Sequence, residues 1–160
     1  MKALIVLLSL CCLLCGCSKG ELDYADDVPC AEIMDTVERQ IPVDFGYETF
    51  GGEHLSLYFD DGDDTDDHCL RYSTLSEDIN EVGIFHTREG ESVKETEEMC
   101  REYLEDLWEE KQAFIASYAP DELPKLKNAE VRSFGRYTVY AILDDDDRAL
   151  VFETVEKEVS

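Results

Sequence analysis

Residues 80–98 read NEVGIFHTREGESVKETEE, and the change of period inside this stretch decides the fold class. Val82 to Arg88 (VGIFHTR) is rich in β-branched and aromatic residues and predicts a short strand. Gly90 interrupts it. Ser92, followed three residues later by Glu95, predicts a capping box in which each side chain satisfies an orphan backbone donor of a new helix. From there Val93, Cys100, Leu104, Leu107, Phe114 and Tyr118 trace one apolar stripe, while Glu95, Glu97, Glu98, Arg101, Glu105, Glu109 and Glu110 hold the opposite side. Pro120 sets the limit of this helix, whose length of about 27 residues at 1.5 Å each comes to ~40 Å, enough to cross a whole small sheet.

Upstream, His68 to Thr74 (HCLRYST) predicts a second strand, joined to the first through SEDINE and pairing with it antiparallel. Before it, Cys30, Ile33, Met34, Val37 and Ile41 recur at three and four residues, so a helix is expected from Pro29 at its first position to about Gln40, with Pro42 as its stop. Downstream, Asp121 to Lys127 is a polar link with room for one helical turn. Glu130 to Phe134 and Tyr137 to Leu143 flank Gly135–Arg136 and predict a hairpin in which Tyr137, Val139, Ala141 and Leu143 share a face. Asp144 to Asp147 suit the cap and first turn of a last helix with Ala149, Phe152, Val155 and Val159 on its apolar side. The expected architecture is α+β, an antiparallel four-stranded sheet packed by helices in the order α-β-β-α-β-β-α.

This order and certain residues within it resemble a family of small bacterial lipoproteins, mainly from Gram-positive anaerobes, catalogued as domain of unknown function 4358. The likeness runs from about Val28 to Val159. It is carried by NEVGIF at Asn80 to Phe85, Tyr118 and Pro120, KLKNAEV at Lys125 to Val131, Gly135 and Tyr137, Asp144 and Asp145, and Phe152. The resemblance implies fold and location and transfers no catalytic residue.

The first residues support the same location independently. Lys2 precedes an apolar run from Ala3 to Leu14, the length of a signal-peptide core and too short for a membrane span of ~20 residues. Leu14, Cys15 and Gly16 then lead to Cys17, an aliphatic residue, two small ones and a cysteine. This order resembles the bacterial lipobox, which implies cleavage between Gly16 and Cys17 and a diacylglyceryl group on the Cys17 thiol. Two acyl chains anchor stably where one binds reversibly. The expected organisation is a signal peptide over 1–16, an acidic tether over 17–28 and a single domain over 29–160, its partners the lipid bilayer and an envelope protein or ligand. Cys11, Cys12 and Cys15 leave with the leader, in which they count as small apolar residues.

The formal charge is −25, and loss of Lys2 makes it −26. Nucleic acid and anionic surfaces repel such a chain, and no Lys/Arg cluster offers a local exception, so nucleic acid is excluded as a partner. Cys30, Cys69 and Cys100 all fall at apolar positions and read as buried free thiols, with a Cys69–Cys100 disulfide as the alternative.

Little here points to catalysis. His68 and Cys69 are strand neighbours and point to opposite faces. His54, His68 and His86 have no histidine or cysteine at metal-ligand spacing in a helix, and no phosphate loop, HExxH or Gly-x-Ser-x-Gly occurs. His86 shares a strand face with Val82 and Ile84 and reads as a satisfied, half-buried histidine. Asp60 to Asp67 lacks the spacing of an EF-hand and reads as a solvated loop. Tyr103, Trp108 and Phe114 read as core, whereas Phe45, Tyr47 and Phe50 beside glycines suit a binding rim. The expectation is a non-enzymatic surface domain with no catalytic residue, cofactor or metal. The alternatives are weak divalent-cation capture by Asp60 to Asp67 or Asp144 to Asp147, and a hydrolase whose site has no sequence signature.

Overall fold

The computed structural model describes residues 23–42, 64–75 and 78–160. The fold is built around β2 (Glu81–Thr87), every residue of which is buried. On one side β2 pairs antiparallel with β1 (Thr65–Tyr72), on the other with β4 (Tyr137–Ile142), and β4 turns back to β3 (Glu130–Phe134). The sheet order is therefore β1-β2-β4-β3, fully antiparallel. Both expected hairpins form, and the pairing of β2 with β4 welds them into one sheet. Around them lie α1 (Cys30–Gln40), α2 (Val93–Tyr118), a 3-10 turn over Pro120–Glu122, α3 (Leu123–Lys127) and α4 (Asp145–Glu158). This is the expected α+β order, and the polar link forms the short helical turn for which it had room.

Strand alternation splits the apolar residues between two faces. Cys69, Val82, Ile84, Tyr137, Val139 and Ala141 point to one side, where α1 and α4 close the main core with Ile33, Met34, Val37, Phe152 and Val155. Leu70, Phe85 and Tyr140 point to the other, against Cys100 of α2, and Ile142 joins Ile115 and Leu126 beyond them. Helices thus cover both faces. On α4 the buried positions are Arg148, Val151, Phe152, Thr154 and Val155, and the expected Ala149 is exposed.

The α2 stripe departs from expectation at its far end. Thr96, Cys100 and Ile115 are buried, but Phe114 is 55% and Tyr118 76% exposed, their rings 4.7 Å apart. Tyr118 lies 18 residues, about five full turns, beyond Cys100 and so keeps the same phase. It is exposed because a 26-residue helix, ~39 Å long, outruns a sheet four strands wide, about 19 Å.

The helix starts differ too. Ser92 caps α2 without a side-chain hydrogen bond, so the capping box does not form. The Ser92 carbonyl instead accepts from Glu95 N at 2.9 Å, and Thr96 Oγ1 pairs with Thr87 Oγ1 at 2.9 Å, pinning the first turn to the end of β2. Asp144 likewise caps α4 with no side-chain bond, while Asp145, Asp146 and Asp147 sit in its first turn and Arg148 is held by Asp145 at 2.7 Å and Glu130 at 3.1 Å. Pro29 occupies the cap of α1 rather than its first helical position. A proline cannot supply a side-chain cap, and the acceptor comes from elsewhere: Asp67 Oδ2 takes the Cys30 N–H at 2.7 Å, while its Oδ1 takes the His68 N–H at 2.9 Å. The acidic run is therefore not a solvated loop throughout, since Thr65, Asp66 and Asp67 belong to β1; its first part, through Asp63, lies outside the described residues.

Residues 23–28, expected as part of the tether, are docked on the domain. Ala25 N donates to the Val159 carbonyl at 2.7 Å, and the Tyr137 hydroxyl accepts from Val28 N at 3.0 Å while donating to Val28 O at 2.8 Å. The Tyr24 ring packs edge-on to Phe134, over Gly135, whose φ of 59° and distance of 2.6 Å from an added Cβ to Tyr24 Cβ both demand glycine.

Because Asp67 bridges a helix start and a strand far apart in sequence, Asp67→Ala should lower unfolding stability by about 1 kcal/mol, the usual worth of a helix cap. Asp67→Asn, which keeps an acceptor, should recover most of that loss in denaturant titrations. Equal losses in both variants would show that the cap bond does not matter.

Candidate binding groove and its buried carboxyl

An open groove of about 490 Å³ lies where α2 leaves the sheet. Leu107, Phe114 and Ile115 of α2, Ile79 of the β1–β2 connection and Leu126 of α3 give it apolar walls. It runs along the last turns of α2, beside Tyr72 at the end of β1 and Glu81 at the start of β2. Glu81, the first residue of β2, lies on its floor.

Glu81 is only 9% exposed, and two tyrosines serve it. Tyr103 of α2 and Tyr140 of β4 both donate their hydroxyls to Oε1, at 2.7 Å and 2.5 Å. Tyr140 reaches it by lying flat across β2 over Gly83, its register partner. A Cβ built on Gly83 would stand 2.1 Å from Tyr140 Cε1 and 2.6 Å from Cζ, so the close approach requires glycine. The same ring stacks on Phe85 and tilts against Tyr103, with centroids 6.2 Å and 5.5 Å away. Burial pushes the Glu81 carboxyl above its ordinary value of 4.5, and the tyrosine hydrogen bonds only partly oppose that. Tyr140, sealed beside this carboxyl, is itself pushed well up by burial and by Glu81.

The rim is a closed polar network. Lys125, nearly buried, donates to Asn80 Oδ1 at 3.0 Å and to Glu122 Oε2 at 2.9 Å, and Asn80 Nδ2 donates to Asp78 Oδ2 at 2.9 Å. Lys111 is paired with Glu110 at 2.8 Å.

A second polar cluster lies at the other end of β2. His86 is 8% exposed with its Nδ1 2.6 Å from Asp66 Oδ1 and its ring 4.6 Å from that of Tyr137. Its Nε2 has no hydrogen-bond partner among the described residues, with Asp26 Oδ1 3.9 Å away, so among them the histidine is satisfied on one side only. The hydrogen bond from His86 holds the Asp66 carboxyl below its usual range. Arg136 joins Asp26 at 3.3 Å and Asp66 at 3.6 Å and donates to the Thr87 carbonyl. No hydroxyl or thiol among the described residues bonds that nitrogen, and Arg136, bonded to Asp26, ties the docked segment to the sheet.

Cys30, Cys69 and Cys100 are buried free thiols whose ionisation burial pushes up, the opposite of what a reactive cysteine needs. Cys69 and Cys100 lie on opposite faces of the sheet, which rules out the alternative disulfide between them. Asp145 is engaged by Arg148, and among the described residues no group of three His, Cys, Asp or Glu is arranged to hold a metal ion. Trp108 and Tyr103 are half-buried, as core residues of α2, whereas Phe114 is a groove wall. Cys17, Gly16, His54, Phe45, Tyr47 and Phe50 lie outside the described residues.

The comparisons with known proteins bear on this geometry. A family model described as a domain of unknown function, DUF4358, matches residues 52–143, more than half of the chain. The chain belongs to the DUF4358 family. The match is shorter than the expected likeness from Val28 to Val159. It takes in all four strands, α2 and α3 but leaves out α1 and α4. Glu81, Gly83, Tyr103 and Tyr140 therefore fall inside the DUF4358 match, and Asp26 outside it. No curated protein and no solved structure matches the chain. No described helix is long and apolar enough to cross a membrane.

Sequence reasoning missed Glu81, Gly83 and Tyr140. One signal for them was available: a glycine inside an otherwise apolar strand marks a bulge or a close approach.

Two outcomes follow from the Glu81 environment. Gly83→Ala should destabilise by about 1–3 kcal/mol, as overpacking does, and weaken near-ultraviolet tyrosine circular dichroism; unchanged spectra and stability would mean Tyr140 does not need the gap. Glu81→Gln keeps an acceptor for both hydroxyls but cannot ionise. Since the folded carboxyl is raised above 4.5, ionised Glu81 opposes folding increasingly as pH rises through that value. The melting temperature of the variant relative to wild type should therefore climb with pH above 4.5 and level off below it; a pH-independent difference would refute the raised carboxyl.

Proposed function

We propose that this protein is a lipid-anchored, extracytoplasmic binding domain without enzymatic activity, which holds a small ligand or an envelope component in the groove beside α2. The observation that carries the binding half is the groove itself. It combines apolar walls, a size in the range of small-molecule sites at about 490 Å³, and one buried carboxyl among groups that are otherwise satisfied. The anchoring half is supported by the order Leu14-Cys15-Gly16-Cys17 after an apolar leader. A chain this acidic resists anionic bilayer surfaces, so an acyl anchor on Cys17 is what would keep it there. The buried thiols, and an Asp66–His86 pair with no nucleophile bonded to it among the described residues, favour binding over hydrolysis.

Native protein should carry an acylated Cys17 at its amino terminus by mass spectrometry and enter the detergent phase on partitioning, while Cys17→Ala stays in water. An unacylated terminus overturns the anchor. For the groove, titration with neutral cyclohexylmethanol should move amide resonances of Ile79, Leu107 and Ile115; shifts scattered over the whole surface, or none, overturn the binding site.

A further inference from the structure

The groove has a polar address, and it is specific about charge. Glu81 Oε1 already accepts two hydroxyls, which fills that oxygen. Oε2 accepts no hydrogen bond, yet it is not among the sealed, unsatisfied atoms of the described residues. Glu81 lines the groove and keeps 9% of its surface exposed, and an oxygen that is neither sealed nor bonded is the polar atom it has to offer there. A side chain nine-tenths buried with one oxygen left over is a site waiting for a donor.

The surroundings favour a positive donor. Of the two cations nearby, Lys111 is engaged by Glu110 and Lys125 by Glu122 and Asn80. Asp78 adds a further carboxylate at the mouth. Among the described residues lining the groove no cation is left over to neutralise Glu81, and the chain as a whole carries −25. An anionic or purely acceptor-bearing ligand would meet like charge and leave Oε2 unserved.

We propose that the groove takes an amphiphilic amine, its ammonium bonded to Glu81 Oε2 and its aliphatic or aromatic body laid between Ile79, Leu107 and Ile115. This deepens the binding reading above and rests on it. Three N–H donors on a compact head suit one free carboxylate oxygen, and the charge-assisted bond is formed in a half-enclosed site where water competes less. In the empty protein a proton is held on Glu81 more readily than on an exposed glutamate. Entry of the ammonium displaces that proton to solvent, so charge is conserved and binding releases a proton wherever the carboxyl starts protonated. The groups facing Glu81 are Tyr103 from α2, Tyr140 from β4 and Tyr72 opposite it on β1, none of which carries charge near neutral pH.

The test is a matched pair of probes on the full folded domain, cyclohexylmethylamine and cyclohexylmethanol, followed by amide resonances and calorimetry. The amine should bind at least tenfold tighter than the alcohol, and calorimetry in two buffers of different ionisation enthalpy should report proton release for the amine alone. Glu81→Gln should abolish the preference, so that the amine binds no tighter than the alcohol. If both probes bind equally in the wild type, the amine assignment is overturned and the groove stands. If neither binds, the binding site itself falls. Tyr103→Phe, which removes one donor from Oε1 without touching Oε2, should keep the preference; its loss there would mean that packing rather than the carboxylate selects the amine.

Discussion

The fit of the Tyr140 ring over Gly83 is the constraint on which the α2 side of this molecule depends. A side chain on Gly83 would occupy the ring's place, and without the ring Glu81 loses its shorter hydrogen bond and Cys100 and Phe85 lose a packing partner. The arrangement is consistent across levels: glycine weakens a strand by removing packing surface, but here the aromatic ring of the neighbouring strand fills the space. A buried carboxyl costs free energy unless it is served, and the two hydroxyls serve one of its oxygens. Glu81 itself lines the groove, so the residue that the two tyrosines hold in place also borders open space.

Acidic residues dominate the chain, yet a few of them do positional jobs that bulk charge conceals. Asp67 closes the start of α1 from a neighbouring strand, Asp66 and Asp26 hold Arg136 and flank His86, Glu130 and Asp145 neutralise buried Arg148, and Glu122 holds Lys125. Each pairs a carboxylate with a specific donor in a partly dry setting, where such bonds are stronger than on an open surface. Among the described residues, exposed acids of α2 such as Glu110 pair with a helical neighbour, here Lys111, and contribute mainly to the field of the whole protein. The docking of residues 23–28 brings this segment across the Gly135–Arg136 turn, at the end of β2 opposite the groove.

Sequence alone determined the order of elements, the two hairpins, the long helix, the opposite faces of His68 and Cys69 and the core alternation of β4. These rest on local rules, chiefly the period of side chains along a strand or a helix and the chain-reversing freedom of glycine, which need no knowledge of neighbours. The candidate site was not legible in the same way. Glu81 looked like one acid among 39, because what distinguishes it is burial under two tyrosines 22 and 59 residues away. Only the tertiary structure decided that α2 would overrun the sheet and leave Phe114 and Tyr118 in the open. It alone decided that Asp67 rather than Ser92-type local capping would finish a helix, and that β2 would join β4. The reason is physical: those outcomes depend on lengths and contacts between segments distant in sequence, and on which carboxylates lose their water, neither of which any local pattern encodes.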